Sequence, residues 1–321
     1  MGPGDFLHKQ AQTPLVEHFL MTGVRGSIAT NSRSILEAAR ACFIPSGAAA
    51  GEPKLRLRFW VDPRGESQPP WPKPYFRGLG HLVFAGFDRQ SSMLMDLRTN
   101  RAIGRFSPAM SEHQPLWTTV IFPVLMSIMG ATVGVTELHS ACVARHDSGL
   151  LLVGGSGSGK STLSLALAEA GFSFLADDRT YLTRAEGRIT AWGLPTQLKL
   201  RADAVAWFPE LDKVRQTSAS DSERDLWIDP ASALGIMRAR RCEPMELIFL
   251  ERRETPTCEL SALDSDHAAR QLEADLLVED PDASERQRDL IANLVKLPCW
   301  HLAYGGSPQD VAQFLQARFS L

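Results

Sequence analysis

The chain has 321 residues, 44% of them hydrophobic, enough to build an extensive core in one large domain or two smaller ones. A formal charge of −3 without a basic tail argues against a surface built for a polyanion, so nucleic acid is not an expected partner. The five cysteines, Cys42, Cys142, Cys242, Cys258 and Cys299, form no C-x-x-C pair, which speaks against a zinc site or a disulfide framework and for a reducing cytoplasm.

In chain order, Met1 to Gln12 is mixed and polar and lacks the apolar core of a secretory signal. Helix signals follow over Ser32 to Phe43, then short β-like runs at Leu55 to Val61, His81 to Gly86, Ser92 to Asp96 and Ala102 to Phe106. Turn-rich segments such as Asp62-Pro63-Arg64-Gly65 separate them, so residues 1–112 are expected to form a smaller α/β or mainly β portion, a candidate for substrate binding. Leu116 to Val135 is apolar, but Pro123, Ser127, Gly130 and three threonines interrupt it. It is expected to be a buried helix with a following turn, not a membrane span.

Residues 113–321 are expected to form a second domain of α/β (α+β) class, a mixed sheet with flanking helices. Leu150 to Val153 is a short apolar run bounded by glycines, as in a strand covered on both faces. The next eight residues, Gly154-Gly155-Ser156-Gly157-Ser158-Gly159-Lys160-Ser161, have the spacing G-x-x-x-x-G-K-S. Leu163, Leu165, Ala166, Leu167 and Ala170 then read as a mostly buried helix, with Gly171 at its C-terminal cap.

Each residue type in that loop answers a demand of a triphosphate. Glycines permit positive φ and close approach of backbone N–H groups to phosphate oxygens. Lys160 supplies a compact positive charge for the β and γ oxygens, and the hydroxyl of Ser161, followed by Thr162, is suited to the coordination shell of Mg²⁺. The positive end of the helix points at the anion.

Phe172 to Ala176 reads as the next strand, and it delivers Asp177 and Asp178 to the same region. Two carboxylates there suit a Mg²⁺-dependent phosphoryl transfer, in which one holds the metal and the other takes the proton of the attacking hydroxyl. Further β-like runs lie at Arg188 to Trp192, Glu246 to Leu250, Cys258 to Leu260 and His301 to Tyr304, with helices at Asp264 to Leu277 and Ala283 to Val295. A last helix opens on Ser307 with Pro308 in its first turn, and Val311, Phe314, Leu315 and Phe319 share one face. The polar stretch Leu211 to Asp229, with Lys213, Arg215 and Arg224, reads as an exposed connection, and Arg224 is a candidate additional clamp on the phosphates.

Taken together, His139, the strand Leu150 to Val153, the loop, its helix and Leu175-Ala176-Asp177-Asp178-Arg179 resemble the catalytic core of bacterial HPr kinase/phosphorylase, shared more distantly with phosphoenolpyruvate carboxykinases. The resemblance covers residues 135–181. It implies an HPr kinase C-terminal-domain-like P-loop fold, with His139 approaching the phosphates, Lys160 and Ser161 holding triphosphate and Mg²⁺, Asp177 accepting the proton and Asp178 contacting the metal. At two loop positions the chain differs, with Gly155 and Thr162 where HPr kinases tend to carry acidic residues. Related enzymes phosphorylate serine in lasso-peptide precursors or as the free amino acid. The resulting expectation is a cytoplasmic ATP- and Mg²⁺-dependent kinase acting on a hydroxyl, foremost a serine of a peptide or small protein. A small-molecule acceptor and a non-catalytic nucleotide-binding regulator are the alternatives, and the oligomeric state is left open.

Overall fold

Leu15–Met21 and Val24–Thr30 pair in antiparallel register as strands β1 and β2. Thr22 and Gly23 join them, both at positive φ, 43° and 91°, the two-residue turn whose twist matches that of the strands. These strands lack an Asn-Gly or Asp-Gly turn and were not expected from the sequence. In this computed structural model, residues 12–47, 51–212, 225–276 and 281–319 are described. The chain is mixed α/β and divides into two units, Met1–Val135 and Thr136–Leu321.

The first unit continues with β3 (Ile44–Ser46), β4 (Leu55–Val61), β5 (Tyr75–Leu79), β6 (Leu82–Gly86), β7 (Ser92–Asp96) and β8 (Arg101–Phe106). They form one sheet in the order β3-β1-β2-β4-β8-β7-β6-β5, parallel at β2–β4 and β4–β8 and antiparallel elsewhere. Its apolar face carries Phe19, Ile28, Phe59, Met95 and Phe106, all buried. The helix Arg33–Cys42, capped by Ser32, packs there through Ile35, Leu36 and Ala39.

The apolar segment is one helical run, Gln114–Val133, long and apolar enough to cross a membrane by length and composition, with half of its most apolar window buried. It belongs to the first unit, whereas a division at 112/113 had assigned it to the second. The physical reason is aromatic packing: the ring of Trp117 lies 5.3 Å from Phe59 and 4.7 Å from Phe106, and Phe122 lies 5.1 Å from Phe43. Over Trp117–Ile121 the run widens to a π turn, with the N–H of Phe122 bonded to the carbonyl of Trp117. Pro123 immediately follows, and it has no N–H with which to continue the regular ladder.

The second unit contains β9 (Val135–Leu138), β10 (Ser140–Arg145), β11 (Ser148–Val153), β12 (Ser173–Ala176), β13 (Thr180–Ala185), β14 (Arg188–Trp192), β15 (Leu198–Arg201), β16 (Asp225–Ile228), β17 (Arg241–Arg252), β18 (Cys258–Ala262) and β19 (Cys299–Tyr304). β15 and β16 form a separate ribbon. The others make a sheet in the order β12-β10-β11-β17-β14-β13-β9, with β19 also on β17 and β18 on β19. β17 changes partners along its length: Arg241 and Cys242 pair with β14, and Leu247 to Phe249 lie between β11 and β19, parallel to both.

Helices cover both faces of this sheet. Leu150, Leu152, Ile248 and Leu302 meet the helices Lys160–Glu169 and Pro308–Arg318, and Leu151, Val153, Leu247 and Phe249 meet Ser265–Glu273 and Pro281–Leu294. Burial on both sides is why Leu150 to Val153 is continuously apolar. The last helix starts as expected, Ser307 accepting from the N–H of Asp310, and Val311, Leu315 and Phe319 are buried. Phe314 is not: it is 38% exposed, because the apolar contact stripe on this helix is narrower than the sequence pattern implied. Lys213, Arg215 and Arg224 lie outside the described residues, and the end of their stretch, 225–228, is strand β16.

Candidate functional site

Parallel pairing of β11, β17 and β19 brings their C-terminal ends side by side, the edge of an α/β sheet where ligands bind. From the end of β11 the chain passes through Gly154 to Gly159 and directly into the helix Lys160–Glu169. Gly157 and Gly159 sit at φ 83° and 91°, where an L side chain is strained, and a Cβ on Gly159 would collide with the Tyr304 hydroxyl. Gly155, Ser156 and Gly157 are exposed. At its far end the helix is closed by Gly171 at φ 100°, with the N–H of Phe172 reaching the carbonyl of Leu167.

Lys160 is buried although it is the charge of the loop, 7% exposed. Its ammonium donates to the carbonyls of Gly154 at 2.6 Å and Gly155 at 3.3 Å and lies 3.1 Å from Nε2 of His139. On the other side of the ring, Nδ1 of His139 is 3.1 Å from Oδ1 of Asp178. A protonated lysine can only donate, so Nε2 accepts, Nδ1 carries the hydrogen, and the imidazole donates to Asp178. Burial lowers the lysine pKa, and the nearby charges of Asp178 and Asp177 oppose that fall.

The two aspartates occupy unlike surroundings. Asp177 is 4% exposed and its carboxyl is pushed up to about 7, first by burial; the Ser161 hydroxyl donates to it and pulls the value down, while the charge of Asp178 pushes it up. The backbone N–H of Lys199, on β15, also donates to it. The side chain of Asp178 is 63% exposed and touches Arg179 at 3.9 Å besides His139. Two buried atoms at the loop, Oδ1 of Asp177 and Oγ of Ser158, have no hydrogen-bond partner. Buried polar atoms normally have one, so both are suited to meet a ligand.

The structure brings His139, Lys160, Ser161, Asp177 and Asp178 together at the loop Gly154 to Ser161, and Thr162 follows in the first helical turn. Three residues absent from the sequence-based selection also reach it. Tyr304 ends β19 and donates from its hydroxyl to the carbonyl of Ser158 at 2.7 Å. Arg252, its register partner at the end of β17, holds its guanidinium 5.9 Å over that ring, with Nη1 3.5 Å from where a Cβ on Gly159 would stand. Arg201 ends β15, with Nη1 3.9 Å from the corresponding point on Gly157. The readable signal for Tyr304 was position, since it ends a run that the sequence marked as a strand; Arg252 lies two residues beyond the marked run Glu246 to Leu250 and had no such signal.

Among the described residues no group of three or more His, Cys, Asp or Glu side chains forms a metal cage. Mg²⁺ in phosphoryl transfer uses one or two carboxylates together with substrate phosphates. The hydroxyl of Ser161, the unpartnered Oδ1 of Asp177 and the exposed carboxylate of Asp178 are the oxygen donors that fit it.

No family model matches the chain, and no curated protein matches it. Among solved structures the chain is similar to the Hpr(Ser) kinase/phosphatase from Coxiella burnetii, at 11% sequence identity and a TM-score of 0.31. That match covers 57% of this chain and 95% of the other.

Proposed function

We propose that this chain is an ATP- and Mg²⁺-dependent phosphotransferase that moves the γ-phosphate of ATP onto a hydroxyl, a serine of a peptide or small protein being the acceptor class. The observation that carries this reading is the linked set at the loop: Lys160 joined through His139 to Asp178, and Ser161 joined to Asp177.

In this reading the N–H groups of the loop and of the first helical turn hold the phosphates, with Arg252 and Arg201 as cations on the flank. Lys160 leaves the carbonyls of Gly154 and Gly155 for the β and γ oxygens as substrate enters. Ser161, donating its hydrogen to Asp177, keeps oxygen lone pairs with which it would hold Mg²⁺, and the carboxylate of Asp178 would be a further oxygen donor. Mg²⁺, when bound, neutralises charge on the phosphates as the transfer proceeds. The acceptor oxygen attacks the γ-phosphorus, the bond to the β,γ-bridging oxygen breaks, ADP leaves, and the acceptor proton passes to Asp177. A carboxyl pushed up to about 7 is matched to that task near neutral pH.

The test is incubation of the full chain with Mg²⁺, γ-labelled ATP and serine-containing peptides. Label on the peptide hydroxyl, with ADP formed in equal amount, is the expected result. Tight ATP binding with no acceptor-dependent ADP across the peptide set would replace the reading with that of a nucleotide-binding regulator. Transfer to free serine alone would move it to small-molecule acceptors.

A further inference from the structure

The eight-stranded sheet of the first unit has a second face, opposite its buried one. Alternation along the strands puts Leu57, Phe59, Met93 and Ala102 in the core and their neighbours on this open face. A face left to water is ordinarily polar. Here Phe84, Leu94 and Ile103 oppose one another directly across β6, β7 and β8, and they are 36%, 44% and 51% exposed. The row continues onto Arg58 of β4, the register partner of Ile103.

Guanidinium groups border this row. Arg101 and Arg105 stand two residues before and after Ile103 on the same face, and Arg56 lies directly opposite Arg101. Like charges in directly opposed positions destabilise a sheet, and an anion placed between them relieves the repulsion. The arginines already take carboxylates from flanking segments: Arg105 meets Asp62 at 2.6 Å and Arg56 meets Glu52 at 3.4 Å. Across the outward positions of β4, β7 and β8 four arginines stand against one acid, Asp96, which lies opposite Arg101 on the side away from Arg56, on a chain whose net charge is −3.

We infer that this face docks an acidic segment of a partner protein, one that carries an apolar side chain between two carboxylates. The spacing supports it: Arg101, Ile103 and Arg105 repeat at about 6.8 Å along the strand, the interval of alternate residues in an extended Glu-x-Leu-x-Glu segment. The aliphatic centre, Leu94 and Ile103, fits a leucine side chain, with Phe84 beside Leu94 and Trp60 opposite Arg105 adding apolar area, and a net charge of −3 favours an acidic segment of a protein over a polyanion. The inference is independent of phosphoryl transfer, since no residue of the loop takes part in it.

The experiment is fluorescence anisotropy of the full chain with a labelled peptide of Glu-x-Leu-x-Glu repeats, in low and high salt. The peptide is expected to bind, more weakly as salt rises. Arg101→Glu and, separately, Ile103→Ser should each weaken it by about tenfold or more, as should replacing the peptide leucines by serine or its glutamates by lysine. Thermal melts of both variants establish that they fold. If Arg101→Glu does not fold, Ile103→Ser and Leu94→Ser decide the matter alone. Absence of peptide binding, or undiminished binding by the folded variants, overturns the inference. So does tighter binding of single-stranded DNA that the same variants abolish, or a dimer of the free chain that they dissociate.

Discussion

Asp177 carries an electrostatic load that can be measured without knowing the acceptor. Its carboxyl is pushed up to about 7 from an ordinary 3.8, chiefly by burial, so the folded chain holds that proton more tightly than the unfolded chain does. Stability from this group is therefore greatest below 3.8, where both states are protonated, and falls as pH rises toward about 7. Asp177→Asn removes the titration. Relative to the parent, the variant is expected to gain up to about 4 kcal/mol in urea unfolding at pH 8, with little gain near pH 4. The same change should abolish transfer while sparing ATP affinity; a parallel loss of affinity would assign Asp177 to the metal in place of the proton. Asp178→Asn is expected to act differently, raising the Mg²⁺ concentration at half-maximal rate by about tenfold through loss of the carboxylate charge, which also weakens the hydrogen bond it accepts from His139. Lys160→Ala should lower kcat/KM by about a thousandfold, the loss of roughly 4 kcal/mol of stabilisation of the transferring charge.

At the level of the elements, the loop keeps its shape because three strands end beside it. Gly159 has φ 91° and no room for a Cβ against the hydroxyl of Tyr304, so Gly159→Ala meets both backbone strain and a collision. Tyr304→Phe removes the bond to the carbonyl of Ser158, worth about 1 kcal/mol, and the one the hydroxyl accepts from Arg252. ATP titrations followed by calorimetry should therefore show a much larger loss of affinity for Gly159→Ala than for Tyr304→Phe, and equal losses would mean that Tyr304 holds the loop as much as the glycine does. Much of this was legible. Strand, loop, helix and aspartate pair fall within a short stretch, and each has a local signature in glycine spacing, apolar runs and a glycine cap. The hairpin of β1 and β2 was not, because Thr22-Gly23 is a weaker turn signal, and β5 was not, because Tyr75 to Leu79 is mostly exposed and lacks an apolar alternation.

For the molecule as a whole, ligand linkage supplies the broadest test. A chain that binds MgATP only when folded gains about 2.7 kcal/mol at one hundred times Kd, read as an upward shift of Tm that EDTA reverses. What could be read along the chain was set by neighbours in sequence: the glycine loop, Lys160, Ser161, the two aspartates and the unbroken apolar run that makes Leu150 to Val153 a covered strand. Tyr304 could be read only as a strand end, and Arg252 only as lying two residues beyond one. They arrive at the loop because β17 pairs parallel with β11 and β19 parallel with β17, which sets Leu151 beside Leu247 and Leu247 beside Cys299. Such pairing is selected by burial of apolar faces across the whole sheet, and no local pattern encodes which strand lies beside which. The helical run Gln114–Val133 belongs to the first unit for the same reason: its aromatic side chains found their partners on β4 and β8, and shared burial, not proximity in sequence, settled where it packs.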